Sequence, residues 1–226
     1  MEKTNTQKHT KETFYVAISR MLERASYYGF RALILLYMVG ETLQMKTTEA
    51  ATIYGWIIGL VVFSQIIGAL FGDLLIGNRK SIILGGIMQA FGAFSLCIPS
   101  TTGLYLGLFL VSLGTGFFTP NIISNFGKLY LNKTKLLDSG FTIFYLAINL
   151  GSFLGVILIG YVGHTFGYNF GFTLSGILIL VSIIPILILK EKAKIETKKN
   201  DLSTDKRILN ILIAFLVVAL FWGIYD

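Results

Sequence analysis

Residues 19–40 read SRMLERASYYGFRALILLYMVG, an apolar stretch long enough to cross a membrane. Four charged side chains lie inside it: Arg20, Glu23, Arg24 and Arg31. Each costs roughly 2.5–3.5 kcal/mol at the centre of a membrane helix, even on the lenient insertion scale. The three arginines and Tyr27 follow the spacing i, i+4, i+7, i+11, which is one helix face, and Glu23 lies beside them. Because charges in membrane helices usually face a cavity or a partner, this polar stripe predicts a pathway for a substrate or an ion.

The rest of the chain is also strongly hydrophobic. Of its 226 residues, 54% are hydrophobic and 14% are charged, whereas a soluble domain is usually about 25% charged. The hydrophobic runs are continuous and do not alternate with polar residues. The composition therefore predicts an all-α, polytopic membrane protein.

Side chains that carry enzyme chemistry are scarce. The chain has one cysteine, Cys97, and two histidines, His9 and His164, without an H-x-x-x-H pattern. This count excludes disulfides and cysteine-based metal sites, and the sequence shows no convergent nucleophile and base. We predict no enzymatic activity, no catalytic residue, no metal and no bound cofactor.

Seven apolar segments follow one another along the chain, and each of the first six reaches about the 20 residues that span a bilayer. They cover about 14–39, 52–76, 80–99, 103–126, 139–163, 168–189 and 207 to the end. Fifteen of the nineteen lysines and arginines lie in the N-terminal tail and in the second, fourth and sixth connections, and the other three connections contain only Lys46. This asymmetry predicts a cytoplasmic N-terminus in the cell inner (plasma) membrane. The net charge of +7 is thereby explained by topology, without a nucleic-acid partner.

The polar connections divide the chain into four parts. A cytoplasmic tail (1–13) precedes a six-helix bundle (14–189), a charged linker (190–206) and the start of a seventh helix (207–226). Six spans, a charged linker and a further span are typical of a two-bundle transporter. We therefore expect the lipid bilayer and a C-terminal helical bundle, missing from this chain, as partners.

The second connection reads GALFGDLLIGNRKSIILGG (68–86). Asp73, Gly77, Arg79 and Lys80 resemble the G-x-x-x-D-x-x-G-R-[KR] loop of the major facilitator superfamily. The resemblance implies that Asp73 pairs with a basic residue at a cytoplasmic gate. Ordinary juxtamembrane charge between flexible glycines is the alternative. The basic residue that usually follows the aspartate is Leu74 here, which weakens the gate network.

Four further motifs resemble the proton-dependent oligopeptide transporter (POT, PTR) family of that superfamily. FTIFYLAINLGSF (141–153) matches its fifth-helix signature F-x-x-F-Y-x-x-x-N-x-G-[SG]-[FL] position by position. ERASYYGFR (23–31) is similar to its first-helix motif, GTGFFTPNI (114–122) to its fourth-helix motif, and FWGIYD (221–226) to the start of its seventh helix. The resemblance implies a major-facilitator N-terminal bundle that takes up di- or tripeptides with protons by alternating access.

The resemblance also implies residue roles. The first-helix cavity residues correspond to Arg24, Tyr27, Tyr28 and Arg31, the fifth-helix asparagine to Asn149, and the seventh-helix acid to Asp226. Arginine pairs bidentately with carboxylates, so it fits the C-terminus of a short peptide. Tyrosines offer an apolar face and a hydroxyl, and an amide donates and accepts without charge.

Structural roles are the alternative for each of these residues. Asn149 would then be an interhelical hydrogen-bond residue, Arg31 a gate salt-bridge partner, and Tyr27 and Tyr28 packing aromatics. Asp226 would be a chain terminus at a helix end. Pro120 is expected to kink the fourth helix.

Two positions depart from the family pattern. The family has a glutamate three positions before Glu23, where this chain has Arg20, and a lysine before Pro-Asn in the fourth helix, where this chain has Thr119. Those two family residues are associated with proton coupling. Glu23 remains the expected proton carrier, with Arg20 and Arg24 as its partners. We predict that Arg20 takes the place of the absent lysine and holds Glu23.

Three functions therefore stay open at this point. The first is proton-coupled uptake of small peptides. The second is a proton-uncoupled carrier or exchanger that favours an anionic small solute, because three arginines face one glutamate. The third is a non-functional half-transporter or another non-enzymatic membrane protein.

Overall fold

The computed structural model describes residues 8–189 and, further on, residues 206, 208–210, 212–214 and 216–217. Contacts divide the chain into two units, Met1–Leu189 and Lys190–Asp226. In the second unit the described residues are helical. Most of the predicted linker (190–206) and the end of the predicted seventh segment, including Asp226, lie outside the described residues.

Residues 8–189 of the first unit contain six α-helices. They are α1 (Lys11–Val39), α2 (Thr47–Phe71), α3 (Asn78–Ser95), α4 (Thr101–Lys128), α5 (Leu137–Phe166) and α6 (Tyr168–Ile188). A π-helical turn, Gly72–Ile76, extends α2, and a 3-10 turn, Thr134–Leu136, precedes α5. No strand occurs in residues 8–189. The predicted all-α class is confirmed. The second segment, predicted at 52–76, begins earlier, at Thr47, and the third, predicted at 80–99, ends earlier, at Ser95.

Among the described residues, four helices are long and apolar enough to cross a membrane, namely α2 with its π turn, α4, α5 with its 3-10 turn, and α6. The first turn of α3 is polar, with Asn78, Arg79 and Lys80, and the centre of α1 is charged. Yet 16 of the 29 residues of α1 are buried, against only 6 of the 30 in α5. The neighbouring helices therefore shield α1, which lowers the cost of its charges.

The helices form two groups within the first unit. α1 packs against α5 and α6, while α4 packs against α2 and α3. α3 also contacts α6, and α1 makes smaller contacts with α2 and α4. The contacts of α1 with α2 and α4 matter most for the polar stripe, because they lie on the side of α1 that does not face α5.

Small residues set the rotation of α1. Gly151 and Gly155 of α5 lie directly against the backbone of Met21 and Ala25, so close that an added Cβ would collide with their carbonyl oxygens. A helix turns by about 100° per residue, so the arginines that precede Met21 and Ala25 point to the side of this contact. On the α6 side, Ser19 Oγ donates to the Ser182 carbonyl over 2.6 Å.

This close contact gives a stability prediction. Replacing Gly155 by leucine is expected to lower thermal stability strongly, because overpacking costs about 1–3 kcal/mol and here the neighbouring atoms are backbone. Gly160 of the same helix has open space around it, so Gly160→Leu is the matched control. Thermal unfolding of both variants in detergent, followed by size-exclusion chromatography, measures the difference. Equal unfolding temperatures would show that the glycine contact does not hold the two helices together.

Candidate functional site: a charged cluster on the first helix

The N-terminal half of the polar stripe forms a charged cluster with one residue of α4. We call it the Glu23 cluster, and its members are Arg20, Glu23, Arg24 and Thr119. Glu23 is fully buried. Arg24 binds it with two nitrogens, Nε at 2.7 Å from Oε2 and Nη2 at 2.6 Å from Oε1. Arg20 Nη1 donates to Oε2 over 2.9 Å. One carboxylate thus accepts hydrogen bonds from two buried guanidinium groups, so the three charges sum to +1.

Thr119 joins this cluster to α4. Its hydroxyl accepts from Arg20 Nη1 at 3.1 Å and from Arg24 Nη2 at 3.4 Å. The two positions at which the sequence departs from the family pattern are therefore in direct contact. The predicted contact between Arg20 and Glu23 is present in the structure, while its part in proton coupling stays a prediction.

One hydrogen-bond donor of the Glu23 cluster has no partner among the described residues. Within the described residues, the buried Arg20 Nε has no hydrogen-bond partner. An unpaired buried donor costs about 1–3 kcal/mol, and more when it is charged. The cluster therefore has an uncompensated positive charge and an unmet donor, both on Arg20.

The C-terminal half of the stripe is more exposed, and it contacts Tyr54 of α2, a residue that the sequence analysis did not predict. Arg31 is partly exposed, and its Nε and Nη2 donate to the hydroxyl of Tyr54 in α2 at 2.9 and 2.7 Å. The Arg31 guanidinium lies 5.4 Å from the Tyr54 ring centroid and 5.9 Å from the rings of Tyr27 and Tyr28. Tyr54 is the one tyrosine of the second apolar segment, a signal that could have marked it.

Arg24 belongs to the Glu23 cluster and also contacts the tyrosines near Arg31. Its guanidinium carbon is 4.7 Å from the Tyr27 ring centroid and 5.7 Å from that of Tyr28. Tyr27 is buried and Tyr28 is partly exposed. Cation–π contacts of this kind contribute about 0.5–2 kcal/mol, depending on how far water is excluded. The tyrosines therefore hold Arg24 and Arg31 on the same side of α1.

Asn149 lies on an exposed part of α5. Its Nδ2 donates to the Tyr145 carbonyl of its own helix over 2.8 Å. In the part of the chain that the structure describes, its amide makes no hydrogen bond to another helix, so the interhelical alternative is not observed there. Its predicted role as a peptide contact stays a prediction.

The loop between α2 and α3 contains the predicted gate residues. Asp73 accepts from Asn78 Nδ2 at 3.1 Å and, among the described residues, forms no ion pair. Arg79 donates to the Ile186 and Leu187 carbonyls near the end of α6 over 3.3 and 2.9 Å. Lys80 is exposed. Asp73 was expected to pair with a basic residue, but in this structure it contacts the side-chain amide of Asn78 instead.

Asn78 and Asn121 form a second feature that the sequence analysis missed. Asn78 Nδ2 donates to Asn121 Oδ1 over 2.8 Å, and Lys128 Nζ donates to Asn78 Oδ1. Asn121 Nδ2 donates to the carbonyls of Gly68 and Phe117, each at 2.8 Å. α4 continues as one helix through Pro120, next to this contact, as far as Lys128. The amide pair therefore ties the ends of α2 and α3 to α4.

Among the described residues, no group of three potential metal-binding side chains occurs.

The charge balance of the Glu23 cluster predicts unequal effects of two substitutions. Glu23→Gln leaves two buried guanidinium groups without a carboxylate, so it should destabilise the protein by about 3–5 kcal/mol. Arg20→Gln leaves the bidentate pair of Glu23 and Arg24 intact and should cost about 1 kcal/mol or less. Thermal unfolding in detergent measures both. An Arg20→Gln variant as unstable as Glu23→Gln would contradict the view that Arg20 is the surplus charge.

Comparison with known proteins places this chain in a family. Residues 79–190 match the model of the POT family. The uncharacterized transporter YclF of Bacillus subtilis (strain 168) is 35% identical over 192 residues, which cover 81% of this chain and 38% of that protein. The di-/tripeptide transporter of Lactococcus lactis subsp. lactis (strain IL1403) is 37% identical over 162 residues, which cover 69% of this chain and 33% of that protein.

A solved structure extends the similarity to the fold. The crystal structure of a POT family transporter in complex with a thioalcohol-conjugated peptide is 27% identical, with a TM-score of 0.77, and covers 96% of this chain and 47% of that one. The chain thus spans about a third to a half of the length of these relatives. On these similarities, the chain belongs to the POT family of membrane transporters.

Proposed function

We propose that the protein is a secondary transporter that takes up di- or tripeptides together with protons by alternating access. The observation that carries this proposal is the buried Arg20–Glu23–Arg24 arrangement inside a membrane helix, beside a partly exposed Arg31 and three tyrosines. Charges at such depth usually mark a substrate or ion pathway. The similar di-/tripeptide transporter of Lactococcus lactis supports the choice of substrate.

A short peptide suits this set of side chains. Its carboxylate fits an arginine, its backbone and side chains fit tyrosine rings, and its amino group requires an acceptor or an acid. We assign the arginines and tyrosines of the stripe to the first two tasks. Asn149 and Asp226, which lies outside the described residues, stay candidates for the third.

Proton coupling is proposed to depend on Glu23. Within the described residues of α1, Glu23 is the only acidic side chain of the polar stripe, and both its oxygens are held by arginines. When substrate binding draws an arginine away, the carboxylate loses part of its compensation and is able to take up a proton. The proton is the only coupling ion in this scheme, and no cofactor is needed.

The distribution of basic residues supports the orientation. We propose a cytoplasmic N-terminus in the cell inner membrane, with the exposed Lys80 and Lys128 on the cytoplasmic side. The surrounding lipid and a second helical bundle are the proposed partners of the first unit.

One observation favours a second candidate, an uncoupled carrier of an anionic solute. Two buried arginines share one carboxylate, and within residues 8–189 Arg31 hydrogen-bonds only to the neutral Tyr54. The described part of the site is therefore cationic, and a substrate anion would neutralise it.

Uptake into proteoliposomes separates the two candidates. The complete protein is expected to accumulate a labelled dipeptide only when an inward proton gradient is imposed, because the proton is the source of the driving force. Equal uptake with and without the gradient would eliminate the symport proposal. An anionic solute that is transported in preference to dipeptides would support the second candidate, and no uptake of either would indicate a non-transporting membrane protein.

A charge exchange between α1 and α4 tests the coupling proposal. Arg20→Glu alone places two acids together without an additional base, and Thr119→Lys alone adds a third cation beside Arg20 and Arg24. Each single variant should lose most gradient-driven uptake, whereas the double variant places a glutamate and a lysine at contact distance and should recover it. Uptake rates and surface expression of all four proteins complete the double-mutant cycle. Additive losses in the double variant would show that Arg20 and Thr119 do not act as a pair.

A further inference from the structure

A small groove lies where α1 meets α5 and α6, and we call it the Leu22 groove. Its volume is about 130 Å³. The side chains that form its walls are Met21, Leu22, Ala25, Leu154, Leu158 and Leu178. Gly151 and Gly155 of α5 complete the lining. Because every lining residue is apolar or glycine, the part of a ligand that enters this groove must be apolar.

The Leu22 groove faces away from the polar stripe. A helix turns by about 100° per residue, so Leu22 lies about 160° around α1 from both Arg20 and Arg24. On the α5 side of the groove, Leu154 and Leu158 are exposed in the structure of the first unit. Such a surface offers a peptide no hydrogen-bond partner, but it matches the hydrocarbon chains of a bilayer. The groove therefore fits a lipid chain.

The face of α1 that carries Leu22 continues to the start of the helix. Lys11, Tyr15, Ile18 and Leu22 follow the spacing i, i+4, i+7, i+11. Lys11 is exposed, and Tyr15 and Ile18 are 36% and 43% exposed. Lys11 lies roughly 16 Å along α1 from Leu22, about half of the ~30 Å hydrocarbon core. Since the acyl chains of one leaflet span half of that core, a lipid with its headgroup at Lys11 reaches the groove.

The end of α1 at which Lys11 lies is basic. Lys133 Nζ donates to the Lys8 carbonyl over 3.2 Å, so the connection between α4 and α5 lies beside the residues that precede α1. Residues 8–13 and 128–138 together contain five lysines and two acids, Glu12 and Asp138. A positive surface of this kind attracts an anionic lipid headgroup, and tyrosines such as Tyr15 are enriched at the headgroup level of a membrane.

We propose that the Leu22 groove and Lys11 together bind one anionic phospholipid. One acyl chain lies in the groove between α1, α5 and α6, and the phosphate of the headgroup pairs with the Lys11 ammonium. The neighbouring lysines add long-range attraction, and Tyr15 and Ile18 cover the chain between headgroup and groove. This inference does not depend on what the protein transports.

The test counts bound lipids on the complete protein. The protein is purified in detergent, depleted of lipid and titrated with phosphatidylglycerol or phosphatidylcholine, and native mass spectrometry measures the bound state. Leu22→Trp fills the groove from α1, and Leu158→Trp fills it from α5, so one variant remains if the other does not fold. Leu180→Trp is the matched control, because Leu180 is an exposed residue of α6 outside the groove.

Two further variants test the headgroup. Lys11→Gln removes the proposed partner of the phosphate. Lys46→Gln is its control, because Lys46 is also exposed but lies beyond the opposite end of α1. Size-exclusion chromatography checks that each variant is folded and monodisperse before the titration.

The unaltered protein is expected to bind one phosphatidylglycerol about fivefold more tightly than phosphatidylcholine, the effect of one lysine on an anionic headgroup. Leu22→Trp and Leu158→Trp should lose most binding of both lipids at this site. Lys11→Gln should still bind one lipid but without the preference for phosphatidylglycerol. Leu180→Trp and Lys46→Gln should behave like the unaltered protein.

Three results would overturn the proposal. Equal lipid binding by the two groove variants and Leu180→Trp would exclude the groove as the chain site. A preference for phosphatidylglycerol that survives in Lys11→Gln would exclude Lys11 as the headgroup partner. A complete protein that binds no lipid in a one-to-one complex would show that another part of the chain covers the groove. Peptide uptake is measured separately, so none of these results bears on the proposed function.

Discussion

Two arginines and one glutamate within a membrane helix set the conditions that the rest of the first unit must meet. A charge removed from water costs several kcal/mol unless it is paired, so Glu23, Arg20 and Arg24 must face one another and stay away from lipid. Pairing leaves one positive charge over, and Thr119 of α4 supplies only a neutral oxygen for it. The result is a compact cluster with a net charge of +1, in which both oxygens of the carboxylate accept hydrogen bonds from arginine.

The packing of α1 follows from this requirement. α1 is more deeply buried than α5 and lies against α5 and α6 through glycines and serines, which let the backbones approach closely. That contact turns the charged face toward α2 and α4. A bulkier contact would hold α1 farther from α5 and would change where the arginines point, so the small residues of α5 position the site without touching it.

The polar stripe is not one uniform surface. In its N-terminal half, Arg20 and Arg24 form ion pairs with Glu23. In its C-terminal half, Arg31 donates hydrogen bonds to the neutral hydroxyl of Tyr54. The two halves differ in what it costs to open them, because breaking a buried ion pair leaves charged groups uncompensated, whereas a hydrogen bond to a neutral hydroxyl is broken at lower cost. Arg24 contacts the ring of Tyr27, which also lies near Arg31, so the two arginines share one aromatic neighbour.

Length, apolarity and periodicity by themselves determined the six helices and the single charged face of α1, because these depend on residues close together in the chain. They also marked Glu23 as the acid of the stripe, while the resemblance to family motifs marked Asp73 and Asn149. Only the tertiary structure decided what these residues contact. Asp73 meets an amide, Asn149 bonds within its own helix, and Arg31 meets Tyr54 from 23 positions away. Helix rotation and approach fix such partners, and both arise from packing between segments that are distant in sequence, which no local pattern encodes.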